Sequence, residues 1–113
     1  LIVDLPGNDG VGAFAVAAAN VGDTGEITVT VNKGNLPVSL VLCQTGPGGA
    51  CLGTPSTSVT VTIAAGGTPT FSFFVQGGGF VPFDPANNRI FATFTHTATG
   101  NIVGATSTAV RTQ

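Results

Sequence analysis

Glu26-Ile27-Thr28-Val29-Thr30-Val31 alternates without a break, with Ile27, Val29 and Val31 on one side and Glu26, Thr28 and Thr30 on the other. Successive side chains of an extended strand point to opposite faces, so this run reads as a strand with one face buried and one face wet. The same beat recurs on both sides of it. Val38, Leu40 and Leu42 repeat it, as do Val59, Val61 and Ile63 between Ser58, Thr60 and Thr62, and then Phe71, Phe73 and Val75. Further on, Arg89 to Thr97 carries Ile90, Ala92 and Phe94 inward, and a Thr99-Gly100-Asn101 turn joins it as a hairpin to a last strand over Ile102 to Arg111. No stretch of adequate length gives a 3.6-residue period. The chain is all-β.

Val11 to Val21 at the front brings the count to about seven strands, with turn signals every 8 to 12 residues, the spacing of a Greek-key β-sandwich of the Ig-like class. Ala64 to Pro69 reads as a turn between two of them. Gly77-Gly78-Gly79-Phe80-Val81-Pro82-Phe83-Asp84-Pro85 cannot be a central strand, because its prolines withdraw donors and its glycines weaken the extended state. It is a crossing loop, with Phe80, Val81 and Phe83 expected to plug one end of the core and Asp84 to Asn88 to form an Asx-type turn. Four segments carry a resemblance: Leu36 to Thr45, Ser58 to Ala64, the run from Val81 to Phe91, and the closing Gly104 to Thr112. Together they are similar to Ig-like domains of secreted bacterial surface proteins. That resemblance implies a secreted structural or adhesive module and brings no catalytic residue with it. The Cys-Trp-Cys core pattern of antibody domains is missing, since the chain has no Trp.

Charge narrows the function classes. Only 7% of the 113 residues are charged, against 42% hydrophobic, and the net charge is −2. Such a balance is the reverse of a disordered chain's. Lys33, Arg89 and Arg111 are too few and too scattered for the basic stripe that nucleic-acid backbones require, so no nucleic-acid partner is expected. Gly34 to Phe83 holds no charge, yet its Pro, Gly and Thr residues interrupt any apolar window of spanning length. Trp and Tyr, the usual girdle residues of outer-membrane barrels, are both absent, so no membrane insertion is expected.

Cys43 and Cys51 bound the run Cys-Gln-Thr-Gly-Pro-Gly-Gly-Ala-Cys, whose Gly and Pro residues read as a tight reversal between strands. A disulfide between them would stabilise by about 2 to 3 kcal/mol in the chain-entropy picture. It points to an oxidising compartment: secreted, cell-surface or extracellular. The chain starts at Leu1 with no basic n-region ahead of an apolar run, and is read as a mature or excised product.

The division expected is residues 1–10 as an N-terminal extension strand with its hinge and 11–113 as the sandwich. Leu1-Ile2-Val3-Asp4-Leu5 alternates as a short strand and is cut off by the breakers Pro6-Gly7-Asn8-Asp9-Gly10. Two readings stand for it. It folds back as an edge strand of its own sheet, or it leaves and completes a sheet in another copy by strand addition through Leu1, Ile2, Val3 and Leu5. Val11 to Val21 has no clean polar face, as expected of a strand covered on both sides, and this marks Phe14 and Val16 as lateral contacts between copies. Edges nearly free of Lys and Glu lean the same way.

Chemistry is thin. His96 with Ser72 or Ser107 and Asp84 can be drawn as a triad, but no serine sits on a nucleophile turn. Asp4, Asp9, Asp23, Glu26 and Asp84 read as solvated acids, though Asp9, Asp23 and Glu26 would offer calcium its hard oxygens if two front turns converged. Phe74, Phe80, Phe83 and Phe91 are the residues a sugar-stacking platform would use. No cofactor is called for and no enzyme is expected. The reading is a structural subunit of an extracellular filament or surface fibre, assembling with copies of itself. The alternatives are an Ig-like module of a large adhesin or stalk, or a carbohydrate-binding module, with host-surface or glycan contact as a further partner.

Overall fold

The computed structural model describes residues 2–17 and 25–113. Eight strands run in chain order: β1 (Ile2–Leu5), β2 (Val11–Ala17), β3 (Gly25–Asn32), β4 (Val38–Thr45), β5 (Ser58–Ile63), β6 (Thr70–Gly77), β7 (Arg89–His96) and β8 (Ile102–Thr112). They form a five-stranded sheet of order β1-β8-β7-β3-β5 and a three-stranded sheet of order β2-β6-β4. The fold is therefore the expected all-β sandwich, seven strands plus a short first one. Between the sheets lie Val29, Leu40, Leu42, Phe71, Phe73, Val75, Ile90, Ala92, Phe94 and Val110, which are the inward positions of the alternating runs. Phe14 stacks on Phe73 with centroids 4.8 Å apart, and Phe71 meets Phe94 edge to face at 5.8 Å.

Among the described strands, only β7 and β8 are consecutive neighbours in one sheet, and every other connection passes from one sheet to the other. The tight reversal at the cysteines is present, with Gly46 N–H donating to Ala50 O at 2.9 Å, but it does not lead straight into β5. β4 and β5 lie in different sheets, so the Cys43–Cys51 disulfide, with Cα atoms 5.6 Å apart, does not span a hairpin between them. Instead the connecting segment doubles back along the free edge of β4. Leu42 and Ser56 exchange backbone hydrogen bonds of 2.7 and 2.9 Å, and Leu52 N–H donates to Gln44 O at 2.8 Å. The bond staples this flap to its strand. An edge that would be open to other chains is blunted by the chain's own loop.

Three further expectations change. Val81 is buried as the plug of the crossing loop, but Phe80 and Phe83 are 63% and 60% exposed. In the Asp84–Asn88 turn the Asp84 backbone carbonyl accepts from Asn87 and Asn88 N–H at 3.1 and 2.8 Å, while its carboxylate takes the Asn87 side-chain amide at 3.0 Å. The backbone, not the carboxylate, closes that turn. β2 is described as far as Ala17, and residues 18–21 of the expected strand lie outside the described residues. Its outward residues Val11, Ala13, Ala15 and Ala17 are exposed, so it is covered on one face.

Candidate functional site

The first strand settles against its own sheet. β1 pairs in parallel with β8, in the register Ile2 with Ala109, Val3 with Val110, Asp4 with Arg111 and Leu5 with Thr112. Its alternation explains why. Val3 and Leu5 face the core and are buried, whereas Ile2 and Asp4 face outward. Gly12 of β2 leaves room for Val3, since a Cβ there would run into the Val3 side chain. The expected flexible hinge is a hydrogen-bonded turn, with Gly10 N–H donating to Gly7 O at 3.3 Å and Gly77 N–H to Gly10 O at 2.8 Å. Gly77 is pressed so closely to this turn that a Cβ would come within 2.5 Å of Asn8 O.

The seam between β1 and β8 is closed at its far end by Gln113 N–H donating to Leu5 O at 2.7 Å and Gly7 N–H to Gln113 O at 3.4 Å. On its outer face the Arg111 guanidinium meets the Asp4 carboxylate at 2.5 Å and lies over the Phe83 ring, 5.1 Å from its centroid. Both members of the ion pair are partly exposed, which limits its worth to under about 1 kcal/mol. The crossing loop is tied to the same strand, because Thr112 N–H donates to Val81 O and Val81 N–H to the Thr112 hydroxyl, both at 2.8 Å. First strand, last strand and crossing loop thus meet along one edge of the five-stranded sheet.

Of the residues expected at a subunit interface, Ile2, Val3 and Leu5 are placed in this intrachain seam, and Leu1 lies outside the described residues. Phe14 and Val16 are not on an outer face. They point toward the core, half-buried because β2 is an edge strand with nothing on its far side among the described residues. Cys43 and Cys51 are bonded as expected.

The chemical constellations are dispersed. His96 Nδ1 lies 3.1 Å from the Thr99 hydroxyl at the tip of the β7–β8 hairpin, while Asp84 sits beyond the opposite end of β7. Ser107 accepts from Arg89 Nε and a terminal guanidinium nitrogen at 3.2 Å each, and Ser72 belongs to the other sheet. Asp23 is outside the described residues, and no group of three His, Cys, Asp or Glu side chains able to hold a metal occurs among the described ones. The phenylalanines are split as well: Phe91 is on the outer face of the five-stranded sheet and Phe74 on that of the three-stranded one. A shallow groove of about 310 Å³ is lined by Val31, Lys33, Ser39, Leu40, Val41 and Thr57, with Lys33 the one charge in it.

The outer face of the five-stranded sheet is unusual in its uniformity. Thr28 stands between Thr60 and Thr95, and Thr30 between Ser58 and Thr93. The Thr28 hydroxyl bonds Thr60 and Thr97 at 3.1 and 2.8 Å. These hydroxyls give the middle of the face polar groups without charge, while Glu26 and the Asp4–Arg111 pair lie toward its margins.

Comparison with known protein families, with curated proteins and with solved structures found no match. The disulfide fits a non-reducing environment. No helix among the described residues is long and apolar enough to cross a membrane, a fact that leaves membrane β-barrels untouched.

Proposed function

We propose that this chain is a structural building block of an extracellular surface fibre or stalk, set in line with its neighbours. The observation that carries this reading is the parallel seam. Because β1 and β8 lie side by side and run the same way, the chain enters along β8 and leaves past its end in one direction. Neighbours linked through both ends would follow one another along a common axis. The body carries few charges, measures 42 × 29 × 20 Å, and is covered on one edge by its disulfide-stapled flap. These are attributes of a spacer, and they support no substrate in particular.

Antibodies raised against the folded chain should label the outside of intact source cells, in rows or extended tufts, without permeabilisation. Labelling only after lysis would overturn the proposal. A second reading is a filament subunit that polymerises by exchanging β1 between copies. It is favoured by the unpaired, uncharged edge of β2 among the described strands. Light scattering separates the two. The in-line block stays monodisperse as concentration rises, whereas the exchanging subunit forms polymers that disappear when residues 1–5 are removed.

A further inference from the structure

We infer that the β1–β8 seam is a shear clamp, and that the further function of this module is to hold tension passed through its two ends; the inference rests on the in-line reading above. In a parallel pair the two outward pulls act on opposite ends of the seam. Tension entering before Ile2 drags β1 toward its N-terminus, and tension leaving after Thr112 drags β8 toward its C-terminus. The strands are driven past one another along their length, so their hydrogen bonds are strained together. An antiparallel pair pulled from its open end is instead peeled apart one bond at a time.

The side chains oppose sliding too. A slip of one residue would turn Asp4 toward the core and carry Val3 and Leu5 to the outer face, because the pleat repeats every two residues. A slip of two residues, about 6.6 Å at the strand rise, keeps the faces but pulls Leu5, 0% exposed, out of its seat and parts Asp4 from Arg111. Arg111 is held in turn by the Phe83 ring, and β8's last residues are bonded to Val81 and to Leu5. Every contact of the seam therefore has to fail in one step. The β7–β8 pair supplies the contrast within the same molecule. It is antiparallel, and its open end at Arg89 faces the C-terminal part of β8.

The test is single-molecule pulling of the oxidised protein with handles in two geometries. One pair of handles sits at the chain ends. The other sits on Ala86→Cys and Gln113→Cys, exposed positions that load β7 and β8 in the peeling direction. The expected result is a single rupture through the chain ends at more than about twice the force of the peeling geometry, since forced unfolding reads the barrier and not the equilibrium stability. Equal or lower force through the ends overturns the clamp. Circular dichroism melts matched to the parent show that the handled proteins are folded. The disulfide provides a length check on the same traces. Its eight-residue span, about 29 Å when extended, is held to a Cα separation of 5.6 Å, so the oxidised protein should lengthen by roughly 23 Å less than the reduced one. Asp4→Asn, which removes the ion pair and leaves the buried contacts, should lower the rupture force through the ends and leave the peeling force unchanged. An equal fall in both would also overturn the clamp. A weak seam leaves the surface-labelling result unaffected, so the two proposals fail separately.

Discussion

Replacing Leu5 by Ala tests whether the first strand belongs to the folded monomer. Leu5 is fully buried beside Val3 and Val110 and sits at the end of β1, where its carbonyl accepts from Gln113. Truncating a buried leucine costs about 2 to 5 kcal/mol, from the lost transfer of its methyl groups plus the cavity they leave. Because β1 is an edge strand whose neighbours can partly collapse, a value near 3 kcal/mol is expected here. For a domain of this size that lowers the midpoint by about 10 to 15 °C. Ile2→Ala is the matched control. It removes a similar volume from the same strand, but Ile2 is 38% exposed and should cost under about 1 kcal/mol. With no Trp or Tyr for fluorescence, urea and thermal melts are followed by circular dichroism or calorimetry at low micromolar concentration. Coincident curves for the two variants would refute an intrachain seam. A midpoint that climbs with protein concentration in the parent but not after removal of residues 1–5 would do so as well, since exchange of that strand between copies couples stability to concentration.

Other substitutions probe the rest of the frame. Cys43→Ala with Cys51→Ala should lower stability by about 2 to 3 kcal/mol through the short loop it frees, measured by urea denaturation against the oxidised parent. The flap along β4 should then gain hydrogen-exchange rate at Leu52 and Ser56 before the core does. Gly77→Ala, whose Cβ would crowd Asn8 O, should destabilise by more than about 1 kcal/mol, and proteolysis at residues 6–10 should accelerate with it. Gly100 has a φ of 75°, so Gly100→Ala strains the β7–β8 turn and should cost about 1 kcal/mol in a thermal melt. Phe73→Ala should cost about 3 to 5 kcal/mol, while Phe91→Ser, at a ring that is half exposed on the outer face, should cost no more than about 1.5 kcal/mol.

The strands were legible because burial on one side leaves a two-residue signature. Ile27, Val29 and Val31, or Phe71, Phe73 and Val75, declare which way they face from their spacing alone. That signature is blind to which sheet a strand joins. The inward side of β4 and the inward side of β5 read alike, though they line opposite walls of the core, and this is why the cysteine segment did not reveal that it turns back along β4 before crossing to the other sheet. Loops were harder. In Phe80-Val81-Pro82-Phe83 the large aromatics looked like the plug, yet the bonds between Val81 and Thr112 turn the smaller residue inward and leave the rings outside. At the seam, the breakers after Leu5 announced a turn correctly but could not say whose sheet the strand before it would meet. Gly12 and Gly77 let Val3 and the turn after Leu5 approach closely, and their missing side chains give no sequence signal of what they accommodate.

A sheet that marries its earliest residues to its latest has a consequence for biosynthesis. β1 has no parallel mate until β8 has been made, and most strands must wait for a later strand to return to their own sheet. Loop closure of this kind is slow and comes late. The β1–β8 seam is therefore completed only after residue 112 has been made, whatever the rest of the chain has done by then.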